Sequence, residues 1–325
     1  VAKHRYHPIT AFSVTFAPMG ETTKILVTGG AGFIGSHVVD HLLDRSYGVR
    51  VLDNFATGKR ANLEHVADQI EVMEGSINND DDLEAALQGV QAVIHLAAVP
   101  SVPKSMLEPI STHAVNYTGT LQVLEAMRRA GVSKIIYASS AAVYSAEGDA
   151  PHHEEELPDP TSPYGVDKLA GEFLLKTYAK NYGLQTVALR FFNIYGERQD
   201  PTSTYSGVIS VFADRLRRDQ PITVFGDGSQ TRDFVYVRDL AGVIAGLVGL
   251  DSPALMNVAT GNSVTLLDLI HALGHALDVE PQVSFAEART GDIRFSSADA
   301  SRLAALGFVR WTTLPEGLSD LLARG

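Results

Sequence analysis

An α/β fold, a doubly wound parallel sheet of Rossmann type with a smaller C-terminal α/β lobe, is predicted by three features of this 325-residue chain. Short apolar runs alternate with amphipathic helical patterns, a glycine-rich turn joins the first run to the first helix, and the alternation breaks after Phe191. Such alternation belongs to parallel sheets covered on both faces by helices.

Strands are expected at 24–28, 50–53, 70–74, 92–95, 134–139 and 185–191, with helices at 33–46, 80–88, 111–130 and 162–181. Beyond Phe191, segments rich in Gly, Pro and charge (193–207, 219–233, 287–297) are interspersed with helical patterns at 207–218, 237–249, 265–277 and 313–323. The expected organisation is a peripheral arm at 1–21, a dinucleotide-binding domain at 22–192 with 234–250 packed on it, and a substrate lobe formed mainly by 193–325.

A hydrophobic content of 45% supplies a sizeable core, which excludes a disordered or fibrous chain. The formal charge of −12 opposes non-specific association with nucleic acid or an anionic membrane, so neither is expected as a partner. There is no cysteine, hence no disulfide framework, thiolate nucleophile or Cys-based metal site, and no apolar run is long enough to span a bilayer. The arm contains "AFSVTFAPMG" without a secretory cleavage pattern, and a cytoplasmic enzyme is expected.

The stretch "KILVTGGAGFIGSHVVDHLL" (24–43) places Gly29, Gly32 and Gly35 between a buried strand and an apolar helix. Small residues there permit a sharp turn and let backbone N–H groups at the helix N-terminus approach a pyrophosphate. A glycine pattern alone also fits an ordinary tight turn. The next strand, however, ends in Asp53 ("VRVLDNF"), whose carboxylate is suited to two ribose hydroxyls and repels a 2′-phosphate. NAD, rather than NADP, is the expected cofactor.

In "SPYGVDKLAGE", Tyr164 and Lys168 lie four apart and share a helix face. A phenol titrates near a pKa of roughly 10, and lowering it by about three units requires about 4 kcal/mol of differential stabilisation. A neighbouring ammonium and the positive nicotinamide of NAD both act in that direction, which would make Tyr164 a general base. Just upstream, "KIIYASSAAVYS" reads as a strand ending in Ser139 and Ser140, at the carboxyl edge where open parallel sheets bind ligands. Either hydroxyl suits a substrate oxygen, and Ser140 is the one expected to take it.

At this point the chain resembles the extended short-chain dehydrogenase/reductase superfamily, and within it the nucleotide-sugar epimerases and dehydratases. The resemblance covers about residues 22 to 320 and rests on "TGGAGFIGSH", "DNFATG", "IHLAA", "SSAAVY", "YGVDK", "RFFNIYG", "GDGSQTRDFVYV" and "GDIRFSSAD". It implies that NAD removes a hydride from a sugar carbon while Tyr164 takes the hydroxyl proton. Lys168 would then hold the nicotinamide ribose and tune Tyr164, and Ser140 would orient the oxygen.

Carried over position by position, the resemblance implies a cofactor surface of Gly29, Gly32, Phe33, Ile34 and Gly35, followed by Asp53 and Asn54, and then Ser76 and Ile77. Leu96, Ala97, Ala98 and Asn116 complete it with Tyr164 and Lys168. The implied substrate contacts are Ser101, Ser140, Asn193, Val208, Arg232, Asp292, Arg294 and Ser296, the two arginines serving the diphosphate.

Dehydratases of this superfamily usually carry an Asp-Glu pair directly after the catalytic hydroxyl, whereas this chain has Ala141 and Ala142. The resemblance therefore favours UDP-hexose 4-epimerases, those of UDP-glucose and UDP-N-acetylglucosamine. Ser296 stands where enzymes restricted to plain hexoses tend to carry a bulky Tyr, leaving room for a 2-acetamido group; a UDP-uronate 4-epimerase is the alternative. A nucleotide-sugar dehydratase with another acid/base arrangement, or a non-catalytic NAD-binding sensor, are further alternatives.

Two positions depart from the family pattern. Ser145 replaces a Gly after "VY", and Ser76 replaces the adenine-binding Asp of "GDI".

The pairs His37/His41 and His271/His275 have metal-compatible spacing but no legible third ligand; half-exposed helix faces are expected and no metal. His95 is expected to be packed and hydrogen-bonded beneath the cofactor, and Glu154, Glu155 and Glu156 to form a solvated loop. Helical stretches 111–130 and 162–181 carry surplus apolar positions, and the family commonly pairs such helices across a homodimer.

Overall fold

Ile25, Leu26 and Val27 are fully enclosed, and a strand buried on both faces needs helices above and below it. That requirement organises the computed structural model, which describes residues 23–145, 151–200, 207–249, 255–288 and 294–324. The expected arm at 1–21 and the candidate Asp292 lie outside the described residues.

The main sheet begins with β1 (Lys24–Thr28), and α1 (Phe33–Leu43) returns the chain to β2 (Gly48–Asp53) and then β3 (Ile70–Glu74). After α2 (Asp80–Leu87) come β4 (Ala92–His95), the short helices α3 (Val102–Leu107) and α4 (Pro109–His113), and α5 (Gly119–Ala130). β5 (Lys134–Ser140), α6 (Pro163–Tyr182) and β6 (Gln185–Phe191) follow. All the strand pairs are parallel, and the strand order reverses between β1 and β4. A crevice at such a reversal, beyond the carboxyl ends of the strands, is where this architecture binds ligands.

The second sheet is built on β7 (Asn193–Tyr195), reached directly from β6. α7 (Val208–Arg217) and β8 (Ile222–Phe225) lead to β9 (Thr231–Tyr236), which pairs with β7. The chain then returns to the main sheet through α8 (Val237–Leu247), packed on α1, and β10 (Leu255–Val258), which pairs with β6 as a seventh strand. β11 (Ser263–Thr265), α9 (Leu266–Leu277), β12 (Val283–Ala286), β13 (Phe295–Ser296), α10 (Ser301–Ala305) and α11 (Leu314–Arg324) complete the chain. β11 and β13 flank β9, and β12 pairs with β8.

One expected element is different. The helix expected at 111–130 is α4, a π-helical turn at Ala114–Thr118, and α5. Asn116, inside that wide turn, accepts from the Val99 N–H at 2.7 Å and donates to the Val99 carbonyl at 3.2 Å. A π-turn widens the helix by one residue, which is how a side chain there is brought out to meet a neighbouring loop.

Candidate active site

Three glycines shape the turn after β1. Gly29 has φ +72°, where a side chain is strained, and a Cβ there would stand 2.7 Å from the Ala97 nitrogen. A Cβ on Gly35 would stand 2.2 Å from the Gly29 carbonyl, and one on Gly32 3.2 Å from it. Side chains would fill this cradle, which suits the close backbone approach of a pyrophosphate.

At the end of β2, Asp53 is buried, with one carboxylate oxygen accepting from the Ala31 N–H at 2.9 Å and the other from the Phe55 N–H at 2.8 Å. Each oxygen keeps acceptor capacity for a ribose hydroxyl. Phe33 and Ile34 are half-buried at the start of α1, and Asn54 is exposed beside Asp53. Ser76 and buried Ile77 lie just after β3, behind Gly75, whose N–H bonds the Asp53 carbonyl at 3.1 Å. Where the family pattern has Asp, Ser76 offers its N–H to the Asp82 carboxylate at 2.8 Å. Leu96, Ala97 and Ala98 leave β4 half-buried, with Asn116 beside them. These cofactor candidates therefore gather at the carboxyl ends of β1 to β4, and they fit a dinucleotide.

His95 is fully buried between Thr28 (Nδ1 to Oγ1, 2.7 Å) and Thr120 (Nε2 to Oγ1, 3.1 Å) and stacks on Tyr137. Burial, and then the nearby Lys168 charge, lower its pKa to about 3. It is neutral at physiological pH and serves as a packed bridge.

Ser162 caps α6 by accepting from the Gly165 N–H at 3.1 Å, Pro163 opens the helix, and Gly183 closes it in the left-handed region. The helix presses closely on β5 and the turn after it: a Cβ on Gly165 would lie 2.2 Å from the Ala142 carbonyl, and one on Gly171 2.3 Å from the Tyr137 hydroxyl. This brings Tyr164 to Ser140. Burial pushes the Tyr164 phenol above its usual pKa, and a hydrogen bond with the Ser140 side chain pulls it down.

Lys168 is buried, donates to the Ala138 carbonyl at 2.8 Å, and lies 5.8 Å from the Tyr164 ring centre. Burial lowers its pKa to about 8, opposed by Asp167. The ammonium expected to pull Tyr164 down is thus held by a carbonyl, and within the protein alone Ser140 is the group that opposes burial of the phenol.

Of the substrate candidates, Asn193, Arg232 and Ser296 come together on the second sheet, while Ser140 stays at the end of β5. β9 brings Arg232 opposite Ser296, and the Asn193 amide donates to the Ser296 hydroxyl at 3.3 Å and to the Asp233 carbonyl at 3.1 Å. Val208 opens α7, and Arg294 is exposed with its guanidinium 5.4 Å from the Phe295 ring centre. Ser101 is buried and caps α3, accepting from the Lys104 N–H at 3.0 Å.

Two expectations are corrected. His37 is not half-exposed: it lies 2% exposed, 3.1 Å from the Glu197 carbonyl, with its pKa lowered to about 4, chiefly by burial. The acidic cluster is not simply solvated either. Glu154 is buried and accepts from the Asn257 N–H at 2.7 Å, while Glu156 meets the His152 ring at 2.8 Å. In both cases a backbone group on a distant element takes the polar atom out of water.

A model of the NAD dependent epimerase/dehydratase family matches residues 25–259. The chain belongs to this family. It lies within the extended short-chain dehydrogenase/reductase superfamily, and its cofactor is NAD. It is 38% identical over 301 residues to a putative UDP-glucose 4-epimerase of Methanocaldococcus jannaschii, covering 92% of this chain and 97% of the relative. The UDP-N-acetylglucosamine 4-epimerase of Methanobrevibacter ruminantium, solved with UDP-N-acetylmuramic acid, superposes with a TM-score of 0.87 at 35% identity, covering 93% of this chain and 98% of that one. Thermus thermophilus UDP-glucose 4-epimerase, solved with NAD, gives a TM-score of 0.85 at 36% identity, covering 93% and 99%.

Missed from sequence were the glycines that seat α6, Gly165 and Gly171, and the partners of Glu172 behind the site. The four-residue spacing of Tyr164, Lys168 and Glu172 was the available signal.

Proposed function

We propose that this family member is a UDP-sugar 4-epimerase acting on UDP-glucose/galactose or UDP-N-acetylglucosamine/galactosamine. The observation that carries the reading is the pairing of Tyr164 with Ser140 beside Ala141 and Ala142, an edge with groups for removing one hydroxyl proton and none of the acid/base pair that dehydration needs.

Gly29, Gly32, Gly35 and Asp53 would hold NAD, with Lys168 at its nicotinamide ribose. NAD supplies a reversible hydride acceptor at the sugar carbon. Tyr164 takes the proton of the 4-hydroxyl as that carbon becomes a ketone, and Ser140 orients the oxygen. The 4-keto sugar turns over in the crevice, and Tyr164 returns the proton to the oxygen when the opposite face is reduced. Arg232, Arg294 and Asn193 would face the diphosphate. Ser296, small and hydrogen-bonded to Asn193, supports a pocket that accepts an acetamido group as well as a hydroxyl.

Proton NMR in heavy water with UDP-glucose, UDP-N-acetylglucosamine and UDP-glucuronate in separate tubes tests this. A 4-epimer without carbon-bound deuterium is expected with the first or second sugar. Epimerisation of UDP-glucuronate alone would transfer the assignment to uronate epimerases, and a deoxy-keto product would make the protein a dehydratase.

The same reading includes a homodimer. Ile110 (86% exposed), Leu107 (78%), Phe173 (58%) and Val166 (51%) leave α3, α4 and α6 with an uncovered apolar face, the kind of patch that marks an association surface. Light scattering at working concentration is expected to give twice the chain mass; a monomeric mass would oppose it.

A further inference from the structure

The last three residues of β5 each face one residue of α6, and two of them are hydrogen-bonded to it. Lys168 donates to the Ala138 carbonyl at 2.8 Å, the Ser139 hydroxyl donates to the Glu172 carboxylate, and Ser140 is the neighbour whose side chain lowers the pKa of the Tyr164 phenol. Tyr164, Lys168 and Glu172 occupy positions i, i+4 and i+8, so they share one helix face. Of the three, Glu172 alone is not in the proposed chemistry.

Glu172 reaches further than the other two. Its side chain is 9% exposed, and its two oxygens accept from Arg190 Nε at 2.9 Å and a terminal nitrogen at 2.7 Å, a bidentate pair from β6. The Arg190 guanidinium, 2% exposed, lies 4.7 Å from the centre of the Tyr144 ring, and the Tyr144 hydroxyl donates to Asn257 of β10 at 2.6 Å. α6, β5, β6, the turn after β5 and β10 are thus tied together directly behind Ser140. A buried ion pair adds little net stability compared with apolar packing of similar volume. Its geometry is directional, however, and one of its hydrogen bonds ends on the residue next to Ser140.

We propose that Glu172 is a positioning residue: it anchors Ser139 and the end of β5 so that the Ser140 hydroxyl stays in hydrogen-bond register with Tyr164. This rests on the catalytic roles proposed above for Ser140 and Tyr164.

S139A removes the anchoring hydrogen bond and no charge; E172Q weakens the clamp from its other end. Both are tested as the NAD holoenzyme. With UDP-glucose and UDP-N-acetylglucosamine as probes, each variant is expected to lose at least about tenfold in kcat, with KM held within about twofold.

The readout that a merely structural role would not move is the titration of Tyr164, followed by carbon NMR of ring-labelled tyrosine and assigned with Y164F. Its midpoint is expected to rise by about half a unit or more in S139A, because a displaced Ser140 stabilises the phenolate less. An unmoved midpoint in folded S139A overturns the proposal, whatever happens to thermal stability. Should E172Q fail to fold, S139A decides alone. Should the wild type turn over neither UDP-sugar, the functional reading falls, and the Tyr164 midpoint still decides whether Glu172 positions Ser140.

Discussion

Gly165 stands so close to Ala142 that a methyl group on its α-carbon would lie 2.2 Å from the carbonyl oxygen. The contact is between helix and backbone, so no side chain can rotate away to relieve it. The next residue toward the N-terminus is Tyr164, and the turn holding Ala142 starts from Ser140. Gly165→Ala is expected to push the two apart, costing about 1–3 kcal/mol of stability and at least about tenfold in kcat. Denaturant unfolding and turnover measured on the same sample check both numbers.

Tyr164→Phe deletes the hydroxyl that Ser140 meets and leaves the glycine cradle and Asp53 untouched. Turnover is expected to fall by about 100-fold or more with the NAD content unchanged. Assay of the variant, with extraction and quantitation of its cofactor, gives both values. Normal turnover would remove Tyr164 from the chemistry.

Asp53 is the charge at the adenosine end, and its two oxygens are already oriented by the Ala31 and Phe55 N–H groups. Asp53→Asn keeps the shape but removes the charge that repels a 2′-phosphate. The ratio of NAD to NADP affinity is expected to drop by about tenfold or more, read by titrating the cofactor-stripped variant with each dinucleotide.

His95 makes the fold acid-sensitive. Its pKa falls from 6.5 when unfolded to about 3 when folded, mainly through burial. The unfolded chain therefore binds the extra proton first as pH drops, so the stability present above pH 6.5 is lost progressively toward pH 3. Between pH 7 and 4.5 the wild type is expected to lose on the order of 2 kcal/mol more than His95→Asn, measured by urea unfolding at both pH values.

The strands were legible because their apolar runs are buried on both faces: Ile25–Val27, Val93–Ile94 and Ile135–Ile136 are enclosed where the pattern places them. Tyr164 and Lys168 were legible because four-residue spacing on a helix is a local property. The seventh strand was not. Leu255–Val258 is four residues long, and beside β6 its Asn257 bonds Tyr144, His152 and Asp299, partners from elsewhere in the chain that no local pattern announces. The π-turn at Asn116 was hidden for a similar reason, because a single widened turn barely alters hydrophobic periodicity while Val99, its partner, lies 17 residues away. Glu172 was visible as a helical position, but nothing local links it to Arg190 on the following strand.

The return of the chain through α8 and β10 also bears on how such proteins can be recombined. A nucleotide-binding half cut after Phe191 would leave the β6 edge unpaired and strip α8 from α1. The unit that can be exchanged between relatives therefore extends to Val258, carrying β7, β8 and β9 with it. A newly synthesised chain faces the same constraint: its first six strands wait with an open edge until β10 has emerged from the ribosome.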